Sequence, residues 1–567
     1  MNLLLHNIRL CPCDKAHANG SLELGGMPAC WQACIKACSS GSESSSGLAA
    51  VRVNPIARAA RWVASWAVPG LGMFNESYYI FSVGNIKPIW TEEYPSCWKE
   101  KQGCSEPFLH ALNYSQVAGL ISGMVTVGMF IDRIGRKWGS VTTAGIMFVA
   151  GALLTAAAGP SPRATFAFLI GAQALFGFGC GGEFPVAAAS ASERAESEAH
   201  LRGLRGRTTV LVFSMQAWGN ILNLAVLLFF LAVFRQTSAP YNPTLLSLTW
   251  RLQYGLGLLP IMYMLYHRIF RLQESAMWKE QRRLRQQASV DRKAGEHAAG
   301  GKAQSKRSRD WQKLALLLRH YWHRLAGAAL GWFAWDFYYY GNKLFQSEFI
   351  SIIYPGASLV QQLEFNLLNS CVALWGYYLA AFTIDLPWMG RRRMQVMGFA
   401  WLLILFLACG LAFAPLTGSA AGLRGFQTLY FVSSFWAQFG PNATTFLVAS
   451  ELFPTEMRGV AHGFSAAVGK LGALSADIIL GVVDDRMKFY LSAAAGGMGV
   501  LVTLLWVPEL CTLDLAEGDL RWAALCRDDM EGYTGEAVNP ANLSLWERMA
   551  GVGARYTADT LVLVMCV

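Results

Sequence analysis

GWFAWDFYYYGNKLFQ, residues Gly331 to Gln346, sets a carboxylate inside a run otherwise apolar enough to span a bilayer. An ionisable side chain at membrane depth costs at least ~2.5–3.5 kcal/mol on insertion scales, so it faces a cavity, a partner or a substrate rather than lipid. Asp336 is that side chain, and Trp332 and Tyr340 stand four residues before and after it. Four helical steps turn about 400° and rise about 6 Å, so an indole N–H, a carboxylate and a phenol form one slanted stripe. The competing interpretation is an aromatic packing stripe with one satisfied Asp, and the rest of the chain decides between the two.

The chain has 567 residues, 54% of them hydrophobic and 13% aromatic, with only 15% charged. Soluble domains carry roughly a quarter charged residues, and several apolar runs here exceed the ~18 residues that mark a spanning helix, so the composition is that of a membrane protein. The net charge of +10 is read through its distribution rather than its sum, and no RNA or DNA motif is present, so nucleic acid is not expected as a partner. Most of the cysteines that fall in the spans, such as Cys180, Cys371 and Cys409, stand singly and act as small hydrophobes. Cys97 and Cys104 share the short polar loop after the first span, which leaves a local disulfide open if that loop lies outside the cytoplasm. The spans supply no Ser-His-Asp set and no metal-ligand set, so neither an enzyme nor a metal site is expected.

Apolar spans come in two sets of six, at about 62–84, 114–131, 139–159, 164–190, 207–234 and 246–270, then at about 324–350, 364–384, 394–414, 425–450, 460–483 and 488–507. The expected fold is an all-α integral membrane protein with twelve transmembrane helices in two pseudo-symmetric six-helix bundles. Its parts are a disordered N-terminal tail (1–58), an N-terminal bundle (59–270), a basic linker (271–323), a C-terminal bundle (324–507) and a C-terminal tail (508–567). The linker carries RRLR at Arg282–Arg285 and KRSR at Lys306–Arg309, and Arg133, Arg136, Lys137, Arg202, Arg205, Arg207 and Arg391–Arg393 flank other spans on the same side. Positive residues collect on cytoplasmic loops, which places both termini and the linker in the cytoplasm. For Arg202–Arg207 topology alone is taken as the reason.

An internal repeat joins the halves. The second span ends GMFIDRIGRKW (Gly128–Trp138) and the eighth ends AAFTIDLPWMGRRRMQ (Ala380–Gln395), so each half carries an Asp, a Gly and an Arg cluster at the same corner. Two six-helix halves with a central loop describe a transporter whose substrate binds near the midplane between them.

The G-x-x-x-D-R-x-G-R-K run at Gly128–Lys137 resembles the signature of the major facilitator superfamily, and it follows the second span as that family requires. FGFGCGGEFP (Phe176–Pro185), YYLAAFTID (Tyr377–Asp385) and FGPNATTFLVASELFPTEMRGVAHGFSAAVGKLGA (Phe439–Ala473) resemble the phosphate:proton symporters of fungi, plants and algae, over roughly residues 62–510. The resemblance implies that Trp332, Asp336 and Tyr340 hold phosphate on the seventh helix, with Gln216, Asn442 and Lys470 from the fifth, tenth and eleventh. On the fourth helix the family has Gly-Gly-acid-Tyr-Pro, whereas Glu183 here is followed by Phe184, which enters the binding set in place of the phenol. On the first helix the family tends to have two acids; here the first is Glu76 and the second is replaced by Tyr79.

These residue types suit phosphate, which keeps at least one P–OH near neutral pH. Asp336 as an acceptor welcomes that hydroxyl, while sulfate would meet it with an unpaired like charge. Trp332, Tyr340, Gln216 and Asn442 are neutral donors, and Lys470 adds positive charge without the rigid fork of Arg. Glu183, Glu76 and Asp336 are the candidates for carrying a coupling proton, since burial raises a carboxyl's pKa and a nearby lysine lowers it. A proton is the only coupling ion expected, with no cofactor. Asp132, Arg133, Arg136, Glu193, Asp385, Arg391, Glu451 and Arg458 form the expected gating latch, with Asp132 facing a helix N-terminus of the other half. The sequence thus points to a proton-coupled importer of inorganic phosphate in the plasma membrane, an organelle membrane remaining open. Its rivals are a carrier of a phosphorylated organic anion, such as a glycerophosphodiester, and a phosphate receptor without flux. The sequence leaves the oligomeric state unassigned.

Overall fold

A computed structural model of the chain describes residues 55–197, 202–274, 306–344, 356–530 and 532–556, together with residues 279, 283 and 354; side chains at 55, 113, 131–134, 136, 185, 187–197, 202, 306–310, 344 and 555 lie outside that description. The chain divides into two compact units, 1–61 and 62–567. In the first, the described residues 55–61 are helical. In the second, the described residues form helices and connecting turns, with no strand among them.

Twelve stretches of helix occupy the twelve expected spans. In the N-terminal half these are a first span built from Leu71–Ile80 and Ser82–Glu93, then Glu106–Ile134, Arg136–Ala156, Pro162–Ser197, Arg205–Val233 and Pro243–Phe270. In the C-terminal half they are Lys306–Leu344, Leu359–Thr383, Gly390–Leu411, a tenth span built from Ala420–Ala437 and Ala443–Glu451, then Arg458–Leu480 and Asp485–Trp506. Six of the described helices are each long and apolar enough by composition alone to cross a membrane. The seventh falls outside that set because Trp, Tyr and Asp336 lower its mean hydropathy, although it is the most informative span of the chain.

The tenth span breaks where chemistry is needed. Pro441 has no N–H to give to the helix ladder, and Gly440 lies so close to Gly398 of the ninth span that an added Cβ would come to 2.5 Å from the Gly398 Cα. The chain responds with a π-helical turn, Gln438–Asn442, which re-aims Gln438 and Asn442 inward. In the first span Phe81 interrupts the two helical pieces and turns its ring to 6.0 Å from that of Tyr340.

The two halves meet along two pairs of helices, the second against the eleventh and the fifth against the eighth. Counting six spans onward maps the second to the eighth and the fifth to the eleventh, so these are equivalent contacts under the pseudo-symmetry that the repeat implied. Gly128 and Gly463 allow the first of these approaches: a Cβ on Gly463 would lie 2.6 Å from the Met124 carbonyl oxygen. Trp375, Leu501 and Phe229 stand at least 60% exposed on outward faces, as an apolar surface wetted by lipid requires.

Helical structure continues beyond the expected spans at both ends of the C-terminal half. The seventh helix begins at Lys306, so the last part of the expected linker is helical; Leu317, Tyr321 and Leu325, four residues apart, bury one face of it. The C-terminal tail is folded, with helices at Leu515–Cys526 and Leu545–Met549. Glu509 accepts hydrogen bonds from the backbone N–H groups of Arg391 and Arg392 (2.8 and 3.1 Å), the unpaired donors at a helix start. Asp519 takes the Thr455 N–H and hydroxyl, both at 2.7 Å, and buried Glu547 gathers Arg324, His323 and Arg521. Cys97 and Cys104 are joined in a disulfide, at the opposite end of the spans from that tail.

Candidate functional site

The carboxylate that opened the sequence faces inward. Asp336 is 1% exposed, and its Oδ2 lies 3.0 Å from Lys470 Nζ, which also donates to the Tyr340 hydroxyl at 3.0 Å. The seventh helix brings Asp336 and Tyr340 to one face, and the eleventh delivers Lys470 opposite them. Gly469 makes room: a Cβ there would stand 2.6 Å from Trp332 Cδ1 and 3.2 Å from Asp336 Oδ2. Phe184 of the fourth span comes from the other half, its ring 5.3 Å from the Lys470 ammonium and 6.1 Å from the Trp332 ring.

A second polar cluster lies at the same seam. Gln216 Oε1 accepts from the Tyr377 hydroxyl (2.7 Å) and from Asn442 Nδ2 (3.1 Å), and that amide also reaches the Tyr377 oxygen and Gln438 Oε1. Gln216 belongs to the N-terminal half and the other three to the C-terminal half, so the cluster spans the line along which rocking halves separate. Glu76 joins the two clusters. Its Oε2 receives a long hydrogen bond (3.5 Å) from Gln216 Nε2, its Oε1 has no hydrogen-bond partner, and it lies within electrostatic reach of Lys470 and Asp336.

Glu183 has a partner that the sequence did not suggest. Arg268 of the sixth span grips both its oxygens, one at 2.8 Å, and the Thr143 hydroxyl donates to it at 3.0 Å. A carboxylate so closely matched by a guanidinium in one bundle has its charge compensated there. Glu76 has no such guanidinium held against it among the described residues. His462 packs edge-on to Trp332 and Phe446, with ring centroids 5.4 and 5.5 Å away.

At one end of the spans, charged side chains hold the halves together. Glu451 accepts from Arg205 Nε at 2.6 Å and from Arg391 at 3.0 and 3.2 Å. Asp385 pairs with Arg391 (2.8 Å) and takes the backbone N–H groups of Gly206 and Arg207 (3.0 and 2.7 Å) at the start of the fifth span. This carboxylate against a helix N-terminus of the other half is the contact expected of Asp132, made by its repeat counterpart. The side chains of Asp132, Arg133, Arg136 and Glu193 lie outside the described residues. Arg458, 1% exposed, donates to the Phe453 carbonyl (3.4 Å) within its own half. Arg205 corrects the purely topological reading of its cluster: besides Glu451 it bonds the carbonyls of Leu510 and Leu513, so it ties the N-terminal half to both the other half and the tail.

Trp332, Asp336, Tyr340, Lys470, Gln216, Asn442 and Phe184, the residues expected to bind substrate, lie around one seam, while Tyr377, Gln438, Arg268 and Arg205 were not foreseen as their partners. Tyr377 stood in a quoted motif with no role. The signal that finds it is its spacing on the eighth span: eight residues before Asp385, about two helical turns, it lies on the same face toward the other half.

The model of the sugar (and other) transporter family matches residues 68–522. The chain is 27% identical over 464 residues to glycerophosphoinositol permease 1 of Candida albicans, a match covering 80% of each chain. It is 29% identical over 500 residues to inorganic phosphate transporter 1-2 of Oryza sativa subsp. japonica, covering 79% of this chain and 92% of the relative. Among solved structures it is similar to the major facilitator proton:xylose symporter XylE bound to 6-bromo-6-deoxy-D-glucose, at 19% identity and a TM-score of 0.60, over 80% of this chain and 97% of that one. The twelve-helix architecture, the inward-facing polar seam and the extent of the family match agree, and the chain belongs to the sugar (and other) transporter family of the major facilitator superfamily, a multi-pass membrane transporter and not an enzyme.

Proposed function

We propose that this chain imports inorganic phosphate together with protons by alternating access of its two halves. The observation that carries the reading is the pairing of Asp336 with Lys470 and Tyr340 beside the neutral Gln216–Tyr377–Asn442 cluster, all buried at the seam. Phosphate differs from sulfate in keeping a hydroxyl near neutral pH, and a buried carboxylate is the acceptor that rewards it. Lys470 offsets the anion's charge, so the site attracts without clamping, and the amides and phenols serve the other oxygens. The phosphate transporter among the relatives supports the same cargo.

In this reading Glu76 takes up the coupling proton. Glu76 is fully buried at the seam, with one long hydrogen bond from Gln216 and an oxygen that has no hydrogen-bond partner, so it offers a place where a proton can travel with the anion. Asp336 takes part through its exchange between Lys470 and the substrate hydroxyl. The Arg205–Glu451–Arg391–Asp385 latch closes the face bearing the tail, which is assigned to the cytoplasm; the disulfide on the opposite face suits an oxidising exterior and a plasma-membrane location.

Counterflow of labelled phosphate in liposomes of purified protein, with and without an imposed proton gradient, tests this. Exchange without a gradient and accumulation with one are expected; saturable binding without exchange would identify a receptor. The similarity to a glycerophosphoinositol permease favours one rival, a glycerophosphodiester carrier. Full inhibition of phosphate counterflow by equimolar glycerophosphodiester, accompanied by uptake of the labelled diester, would replace inorganic phosphate with that cargo.

A further inference from the structure

On the face that bears the tail, one corner of the bundle gathers tryptophans and arginines that neither the seam nor the latch uses. Trp506 ends the twelfth span, Trp322 stands on the seventh helix just before its expected membrane segment, and Trp546 comes from the tail helix Leu545–Met549. The Trp322 ring lies 5.4 Å from that of Trp546 and 6.2 Å from that of Trp506, so the three form one aromatic wall. Trp322 and Trp546 are exposed, and so is Met549, at 65%. Indoles at the level where spans end belong to the membrane interface, their rings beside acyl chains and their N–H groups among headgroups. The tail helix thus turns an apolar side outward, while Glu547 is buried against Arg324, His323 and Arg521.

Three guanidiniums border this wall. Arg392 donates from Nη2 to the Leu504 carbonyl of the twelfth span at 2.7 Å, and Arg393 donates from Nη1 to the Trp388 carbonyl at 2.8 Å. Arg548 follows from the tail helix, and both it and Arg393 are exposed. Arg392 is half-buried, and the charges of Arg548, Glu509 and Arg393 all reach it. Glu509 is already committed, because its oxygens take the backbone N–H groups of Arg391, Arg392, Leu510 and Cys511. Like charges from the tail and from the ninth helix are therefore brought together here. The buried Arg392 Nε has no hydrogen-bond partner among the described residues.

We propose that this corner binds the headgroup of an anionic phospholipid from the adjoining leaflet, its charge set against Arg392, Arg393 and Arg548 and its chains against Trp322, Trp506 and Trp546. The phosphodiester offsets the repulsion between the tail and the ninth helix, and the acyl chains cover indoles that water would otherwise meet. The lipid thereby fastens the tail to the bundle at Arg548, in addition to the protein contacts of Glu509 and Glu547. The site concerns the tail and not the cargo, so it stands whichever anion the seam carries.

Phosphatidylserine is the probe, in bilayers holding the full-length protein. Dibrominated acyl chains quench tryptophan on contact. Dibrominated phosphatidylserine at about 20% of a phosphatidylcholine bilayer is therefore expected to quench more than dibrominated phosphatidylcholine at the same fraction. Arg393→Gln/Arg548→Gln should lower the affinity for phosphatidylserine about twenty-fivefold, at about fivefold for each exposed charge, and leave the two lipids quenching alike. Arg393→Lys/Arg548→Lys should keep most of the difference. In wild type, raising ionic strength from about 0.05 to 0.5 M should shrink the quenching by the serine lipid and leave that by the choline lipid unchanged. This arm needs no variant to fold. Equal quenching by the two lipids in wild type, or a serine preference that Arg393→Gln/Arg548→Gln leaves intact, would overturn the site. Loss of that preference on adding soluble glycerophosphoserine would overturn it as well, by making a free anion the occupant.

Discussion

The Asp336–Lys470 pair offers the sharpest test of the site. Both side chains are almost fully buried and stand 3.0 Å apart, and the other polar contact described for the ammonium is the Tyr340 hydroxyl. Asp336→Asn would leave Lys470 charged beside one phenol, and removing one member of a buried pair costs about 3–5 kcal/mol. Lys470→Gln would strand the carboxylate at a similar cost. The double variant Asp336→Asn/Lys470→Gln replaces the ions by two amides able to bond each other, and replacing both members of such a pair is often close to neutral. Thermal unfolding of purified protein in detergent, followed by tryptophan fluorescence, should therefore rank the double variant above either single one. The coupling should exceed about 2 kcal/mol, against the roughly 0.5 kcal/mol scatter of independent sites. Phosphate should raise the wild-type midpoint and leave all three variants unmoved. Single losses that simply add in the double variant would refute the idea that these charges hold each other inside the seam.

Further outcomes follow from the same contacts. Tyr377→Phe removes the hydroxyl between Gln216 and Asn442, which should cost about 1–3 kcal/mol of site order and raise the phosphate KM in counterflow more than it lowers turnover. Asp385→Asn weakens the contact with the fifth-span N-terminus and Arg391; a loss of about 1.4 kcal/mol shifts the balance of the two states tenfold, read as faster maleimide labelling of half-buried Cys511 beside it. Gly469→Val drives a branched side chain into Trp332 and Asp336 and should abolish transport, a result checked by tracer uptake beside unchanged protein yield. For the tail, burial alone would raise the Glu547 carboxyl, but Arg324, the His323 hydrogen bond and Arg521 hold it well below its ordinary 4.5. A depressed folded value means its contribution is complete above that ordinary value and is lost as pH falls through the folded one. Tail cleavage by an acid-active protease should therefore rise on acidification below about pH 4.5, and Glu547→Gln should be cleaved readily and with little pH dependence.

The sequence by itself determined the membrane class, the two sets of six spans and the stripe of Trp332, Asp336 and Tyr340. These follow from local quantities: apolar run length, four-residue spacing on one helix, and the cost of a charge in hydrocarbon, which applies wherever the helix packs. It also delivered Gln216, Asn442 and Lys470 through motif resemblance. Pairing was beyond it. Only the tertiary structure decided that Lys470 answers Asp336, that Arg268 answers Glu183 and not Glu76, and that Arg205 crosses to Glu451. Each of those contacts joins residues 85 to 246 positions apart, or from different spans, and nothing local tells an arginine at a helix start which of several buried carboxylates it will meet. The tail shows the same limit, since its hydrogen bonds to Arg391, Thr455 and Arg324 exist only because the spans bring those partners to one end of the bundle.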